Sequence, residues 1–126
     1  MAGLTLDSGA LIAYERSERR VMVQLKEATL RGIGLTVPSV TVAEVWRGGA
    51  RSARLAALFE ACNVERLDDS LARIAGEAMG KVKGATVVDA IVMASAAQRG
   101  DFVLTSDSGD LIRLKSHFPT VRVIAV

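Results

Sequence analysis

Residues 86–98 constrain the fold of this chain more than any other stretch. Val87, Val88, Ala90, Ile91, Val92, Met93, Ala94, Ala96 and Ala97 leave almost no polar side. A helix that is apolar nearly all round is buried on more than one face. Its only charge before Arg99 is Asp89. A carboxylate in such a helix costs several kcal/mol unless it is paired or metal-bound. Thr86 stands three residues earlier, and Thr-x-x-Asp fits a capping box that would satisfy Asp89 in the first turn. From these residues alone both readings stay open.

The rest of the chain alternates short β-prone runs with helical patterns. Leu4-Thr5-Leu6 runs into Asp7-Ser8-Gly9, a turn at a strand's carboxyl end, and then into a helix from Ala10 to Tyr14. Val21, Leu25 and Ala28, with Met22 and Thr29, form a helical face that Gly32 and Gly34 end. Leu35-Thr36-Val37 reads as a second strand, closed by Pro38. Ser39 or Thr41 then caps a helix with Glu44 in its first turn and Trp46 beyond, which Gly48-Gly49 breaks or kinks. Ser52 starts another helix, with Leu55, Leu58, Phe59 and Cys62 inward. Residues 64–67 read as a third strand. Asp68, Asp69 or Ser70 caps a helix whose Leu71, Ile74, Ala75, Ala78, Met79 and Val82 share one face. Phe102-Val103-Leu104 is a fourth strand leading to Asp107, Asp110 and a short helix over 111–114. Residues 121–126 form the last strand. Strands separated by helices predict an α/β fold: a central parallel sheet of about five strands in three α/β/α layers.

The 126 residues suit one domain, 1–126. Half of them are hydrophobic, and the mean hydropathy is +0.30. Even so, no apolar run approaches the roughly 18–20 residues of a membrane span. The first eleven residues lack a basic start and carry Asp7, so no signal peptide is expected. Cys62 and His117 each stand alone. That excludes an intrachain disulfide and fits a reducing cytoplasm. It also leaves no thiolate or imidazole zinc site and no Ser-His or Cys-His triad. Any metal must be held by oxygen.

The acids are placed to do so. Asp7 follows the first strand, Asp107 the fourth, and Glu44 and Asp89 sit in helices. Asp110, three residues beyond Asp107, shares a side of its helical turn. In open α/β sheets, chemistry sits beyond the carboxyl ends of the strands. Each Asp has an alternative as a helix cap or dipole partner, and Glu44 as a solvated surface residue. The charge balance is 16 Lys and Arg against 14 Asp and Glu. Setting these five acids aside leaves 9 acids and a surround of +7. An acidic pocket in a basic surround suits a metal-bridged polyanion. A hard divalent cation there polarises a phosphoryl oxygen and generates hydroxide from water. Arg47, Arg51 and Arg54 would share a helical face beside the acids, and hold phosphate, if the helix ran through Gly48-Gly49. Trp46 is expected in the core or a dimer contact.

Four motifs carry a resemblance. They are Leu6-Asp7-Ser8-Gly9-Ala10-Leu11-Ile12-Ala13, Val42-Ala43-Glu44-Val45-Trp46-Arg47, Val87-Val88-Asp89-Ala90 before an Ala-rich helix, and Leu104-Thr105-Ser106-Asp107-Ser108-Gly109-Asp110-Leu111. In this order they resemble the PIN-domain ribonucleases, and among them the VapC-type toxins of toxin–antitoxin pairs. The resemblance implies a PIN-like fold and a Mg²⁺- or Mn²⁺-dependent endoribonuclease acting on RNA. It further implies a homodimer, inhibited by a VapB-like antitoxin. It assigns Asp7, Glu44, Asp89 and Asp107 as the metal-binding catalytic acids, with Thr105, Asp110 and Ser8 accessory. Relatives often carry a further Asp three residues before the helix acid; Thr86 stands there in this chain.

Three other readings compete. A receiver-type phosphorylatable α/β domain would need an accepting Asp after a central strand, for which Asp68-Asp69 is the candidate, and a Lys after the last strand, which is missing. A catalytically inactive partner-binding module would have no need of all four acids. A flap-endonuclease-type DNA nuclease would need DNA-gripping elements for which this chain has no room. The dimer is expected to form through an apolar helix face such as that of Leu55, Leu58 and Phe59.

Overall fold

The computed structural model describes residues 2–126. Five strands, β1 (Leu4–Leu6), β2 (Leu35–Pro38), β3 (Asn63–Glu65), β4 (Phe102–Thr105) and β5 (Arg122–Ala125), form one sheet in the order β3-β2-β1-β4-β5. Every neighbouring pair is parallel, with Thr5 opposite Thr36 on one side and Val103 on the other. Seven helices cover it: α1 (Ser8–Glu15), α2 (Arg19–Leu30), α3 (Ser39–Val45), α4 (Ala53–Glu60), α5 (Asp69–Lys81), α6 (Val87–Arg99) and α7 (Ser108–Ile112). Short 3₁₀ turns occupy Gly49–Ser52 and Arg113–Ser116. The three-layer α/β/α expectation holds.

Alternation along the strands builds two cores. Leu4, Leu6, Leu35, Val37 and Leu104 pack with Leu11, Val21, Leu25, Leu55 and Leu58 of α1, α2 and α4. Val103 packs with α5, α6 and α7 through Leu71, Ala75, Val92, Met93 and Leu111. Helix α6 lies against α5, α7 and the central strands. That covering leaves residues from Ala90 to Ala96 buried, as an all-round apolar helix requires. Gly100 ends it in a left-handed conformation, φ 71°. Among the described residues no helix is long and apolar enough to cross a membrane.

Several local expectations change. Helix α3 starts directly at Ser39, with Pro38 before it and no side-chain cap. The Thr41 hydroxyl instead donates to the Pro38 carbonyl at 2.8 Å. Glu44 therefore lies in the last turn of α3, not the first. The helix stops at Val45 because the buried Ser52 hydroxyl oxygen accepts from the N–H groups of Arg47 and Gly48, at 2.9 and 3.0 Å, and turns the chain. Gly48 and Gly49 make that turn with φ of 79° and 60°. Arg47, Arg51 and Arg54 consequently share no helical face. Strand β3 is set by pairing with β2, Thr36 to Asn63 and Pro38 to Glu65, so it ends before Leu67. The last helical turns begin at Ser108 and continue as the 3₁₀ turn to Ser116. Leu55 and Leu58 fill the chain's own core and are not available as a dimer face. Trp46 is 41% exposed, its ring 6.2 Å from that of Phe59. The strand before Asp68 is the sheet edge, and Asp68 caps α5 by accepting from Leu71 N–H at 2.8 Å. Neither position suits a receiver's phosphate acceptor.

Candidate active site

The chain adds β2 and β3 to one side of β1, then crosses to place β4 and β5 on the other. The carboxyl ends of β1 and β4 thus flank the point where strand order reverses, the crevice that α/β sheets use for ligands. Asp7 follows β1 and Asp107 follows β4. Asp7 N–H donates to the Leu104 carbonyl at 3.3 Å and ties the two strand ends together. Gly9 allows the close approach here: a Cβ at this position would lie 2.6 Å from Ser106 Oγ.

Both acids are helix caps. Asp7 Oδ1 accepts from Ala10 N–H at 2.8 Å, and Asp107 Oδ1 from Gly109 N–H at 3.2 Å. A cap engages one oxygen of a carboxylate that has about four acceptor sites, so capping and cation binding are compatible. Asp7 is 7% exposed. Burial pushes its pKa up to about 6, against the Thr105 hydroxyl and the Ala10 N–H, and Asp89 and Asp107 push it further the same way. Thr105 is buried; its hydroxyl accepts from Asp107 N–H at 3.0 Å and steadies the turn.

Asp89 is half-buried in the first turn of α6. The cap there is Thr86, whose hydroxyl accepts from Asp89 N–H at 3.2 Å. Among the described residues no backbone N–H donates to the Asp89 carboxylate, so only half of the expected capping box forms. Burial raises its pKa; the Thr86 hydroxyl opposes this, and Asp110, Glu44 and Asp107 add to it. Glu44, exposed on α3, accepts from the Ser8 hydroxyl and so joins α3 to the start of α1. Asp107 and Asp110 are exposed.

The fold therefore brings Asp89 into electrostatic reach of Asp7, Glu44, Asp107 and Asp110, and Asp7 into reach of Asp107. Among the described residues none of the five is in a salt bridge; the ion pairs are Arg31–Glu27, Arg73–Asp69 and Arg99 with Glu65 and Asp101. As they stand, no three of these carboxylates are close enough together to enclose a cation among the described residues. The donor set is all oxygen, uncompensated by any base, and two of its members are held above their ordinary pKa partly by the others. That chemistry fits a hard divalent ion, which would draw the carboxylates in.

Arg47, Arg51 and Arg54 are not gathered at these acids. Arg47 donates to the carbonyls of Trp46 and Glu44 at 2.7 and 2.9 Å. Arg54 donates to the Tyr14 carbonyl at 3.3 Å and lies over the Tyr14 ring. Arg51 is exposed on the 3₁₀ turn.

Sequence reasoning passed over one polar cluster. Arg99 Nε donates to Asp101 at 2.9 Å, Nη2 to the Thr5 and Ser95 hydroxyls at 2.7 and 2.9 Å, and Nη1 to Glu65. Asp101, 6% exposed, also accepts from Gly3 N–H and the Thr5 hydroxyl. The cluster joins β1, β3, α6 and the residue that precedes β4. Its one sequence signal was the pair Arg99 and Asp101 on either side of the helix-ending Gly100.

The comparisons place this architecture. No curated protein sequence matches the chain. Among solved structures it is similar to VapBC2 from Rickettsia felis, solved bound to a promoter DNA fragment: 9% identity, 98% of each chain covered, TM-score 0.79. It is similar to DNA-bound VapBC from Salmonella typhimurium, at 18% identity over 99% of this chain and 98% of that one, TM-score 0.74. A toxin–antitoxin complex from Klebsiella pneumoniae matches at 17% identity, with 98% and 97% covered and a TM-score of 0.73. At such identities the likeness is one of fold. The PIN domain family model matches residues 4–115, a span that holds all five acids. By that match, the chain belongs to the PIN domain family.

Proposed function

We propose that this protein is a metal-dependent endoribonuclease that cuts RNA phosphodiester bonds as the toxin of a type II toxin–antitoxin pair, restrained by a VapB-like antitoxin. One observation carries the enzymatic part. Asp7 and Asp89 lie at the carboxyl edge of the sheet, join no salt bridge among the described residues, and are raised by burial together with the charges of neighbouring acids, Asp107 acting on both. The toxin role rests on the PIN family and on the likeness to chains from VapBC complexes. Asp7, Asp89, Asp107 and Glu44 would hold Mg²⁺ or Mn²⁺, and the ion supplies the charge that polarises a phosphoryl oxygen and acidifies a water.

The chain's own residues organise that site. The α1 amide Ala10 N–H and the Thr105 hydroxyl favour the ionised form of Asp7. Ser8 orients Glu44. Thr105 fixes the turn that presents Asp107, and Asp110 adds charge beside Asp89. Thr86 caps α6, and its hydroxyl favours the ionised form of Asp89. Arg51 is the arginine of its group left to meet RNA phosphate, since Arg47 and Arg54 are held by carbonyls. A cytoplasmic location belongs to the same proposal, since RNA substrates are found there. We also propose a homodimer, formed by a face other than that of Leu55 and Leu58.

The test is cleavage of single-stranded RNA with saturating Mn²⁺, beside calorimetric Mn²⁺ titration. Wild type should bind Mn²⁺ and cut, while Asp7→Ala should lose both. Equal Mn²⁺ affinity in the two proteins would remove the assigned ligand set. A folded wild type that binds a VapB-like antitoxin yet never cuts RNA would leave the partner-binding module.

A further inference from the structure

Two neighbouring arginines at the start of α2 make no side-chain hydrogen bond or salt bridge among the described residues. Arg19 and Arg20 are exposed and join no salt bridge among the described residues. They open the helix, whose N-cap Glu18 makes no side-chain cap and whose first turn holds no acid. Cations at a helix N-terminus oppose the macrodipole and lie beside unpaired N–H groups, so local stability disfavours both residues. They line a crevice of about 380 Å³ together with Val23, Gln24, Ala125 and Val126. Glu18 borders the adjoining crevice, which Arg19, Arg20 and Val126 line as well. The turn before α2 is fixed: Ser17 takes φ 58°, with Ser17 and Glu18 N–H groups donating to the Tyr14 and Ala13 carbonyls, both at 2.9 Å. The crevice opens at the carboxyl edge of the sheet, where Val126 N–H donates to the Thr105 carbonyl at 2.8 Å. It is therefore one strand from the turn that carries Asp107.

We propose that this crevice is a phosphate-binding subsite for a nucleotide of the RNA strand beyond the cleaved bond. Arg19 and Arg20 take the phosphate oxygens, Gln24 offers an amide to the ribose or base, and Val23 and Val126 give the base an apolar wall. The proposal rests on the ribonuclease reading above. It supplies that reading with a cationic rim to which the strand can anchor while its backbone crosses the acids.

The experiment uses Arg19→Gln/Arg20→Gln in the full chain, and again in the Asp7→Asn background. Binding of a fluorescein-labelled single-stranded RNA is measured against salt by anisotropy. The double variant should weaken binding and make the slope of log K against log salt shallower by about 1.4, for two lost phosphate contacts on a single strand. In the cleaving protein KM should rise while kcat holds. The melting temperature should be unchanged or higher, since two cations leave a helix N-terminus. An unchanged slope and KM in a protein that cuts RNA would overturn the subsite and leave the ribonuclease intact. A shallower slope in the double variant, beside a wild type that binds RNA but never cuts it, would keep the subsite and overturn the ribonuclease. A wild type that neither binds nor cuts RNA overturns both.

Discussion

Asp7 caps a helix and is also a proposed metal ligand. It caps α1 with one oxygen, yet it is buried beside other carboxylates and titrates near 6 instead of 3.8. The folded state therefore binds a proton more tightly at Asp7 than the unfolded state does. Without metal, the stability linked to this group is full below about pH 4 and is lost as pH rises towards 6, about 3 kcal/mol in all. Asn caps about as well as Asp and carries no charge. In EDTA near neutral pH, Asp7→Asn should melt higher than wild type, and its melting temperature should depend less on pH between about 4 and 6. Parallel pH profiles for the two proteins would refute this. Asp89 separates architecture from catalysis. Thr86, not Asp89, supplies the cap oxygen of α6. Asp89→Asn should keep the fold and lose single-turnover cleavage with saturating Mn²⁺. Near-wild-type cleavage would remove Asp89 from the site.

At the scale of elements, the short stretch between α3 and α4 decides what faces the acids. Ser52, fully buried, accepts from two backbone N–H groups at once. Ser52→Ala would leave both donors without a partner, at about 1–3 kcal/mol each if they stay dry. The expected result is a clear drop in melting temperature, with amide exchange rising first at Arg47 and Gly48. Unaltered exchange there would mean that Gly48 and Gly49 alone shape the turn. Glu44 depends on the same stretch, because its position in the last turn of α3 lets it meet Ser8 across the gap to α1.

For the whole molecule, the Arg99 cluster is the main polar tie beneath the sheet. It links Glu65, Ser95, Asp101 and Thr5, and through them β1, β3, α6 and the turn into β4. Arg99→Met would keep much of the stem packing and strand two carboxylates. Removing one partner of a buried pair costs roughly 3–5 kcal/mol, and the 26% exposure of the Arg99 side chain draws the expectation to about 2–4 kcal/mol. Urea denaturation would measure it. A loss below about 1 kcal/mol would mean that solvent screens the cluster as it does a surface pair.

Much of this was written locally in the chain. The period of apolar residues set most of the strands and helices, and the all-round apolar pattern of α6 required two covering layers. Asp7, Asp89 and Asp107 stood out as candidates because each follows a strand end or a helix start, positions that local sequence marks. Other features depend on residues far apart in the chain. The order β3-β2-β1-β4-β5 places Asp7 beside Asp107, and pairing between strands decided it. The end of α3 followed from a hydroxyl five residues beyond Arg47, a contact to which helix periodicity is blind. The Leu55 and Leu58 face looked free because periodicity marks an apolar side without naming what covers it; the sheet does. Arg99 and Glu65 are 34 residues apart in the chain and meet only when α6 crosses the sheet. Local propensity and spacing act over one or two turns of chain, whereas burial and ion pairing are settled by the partners that tertiary packing brings together.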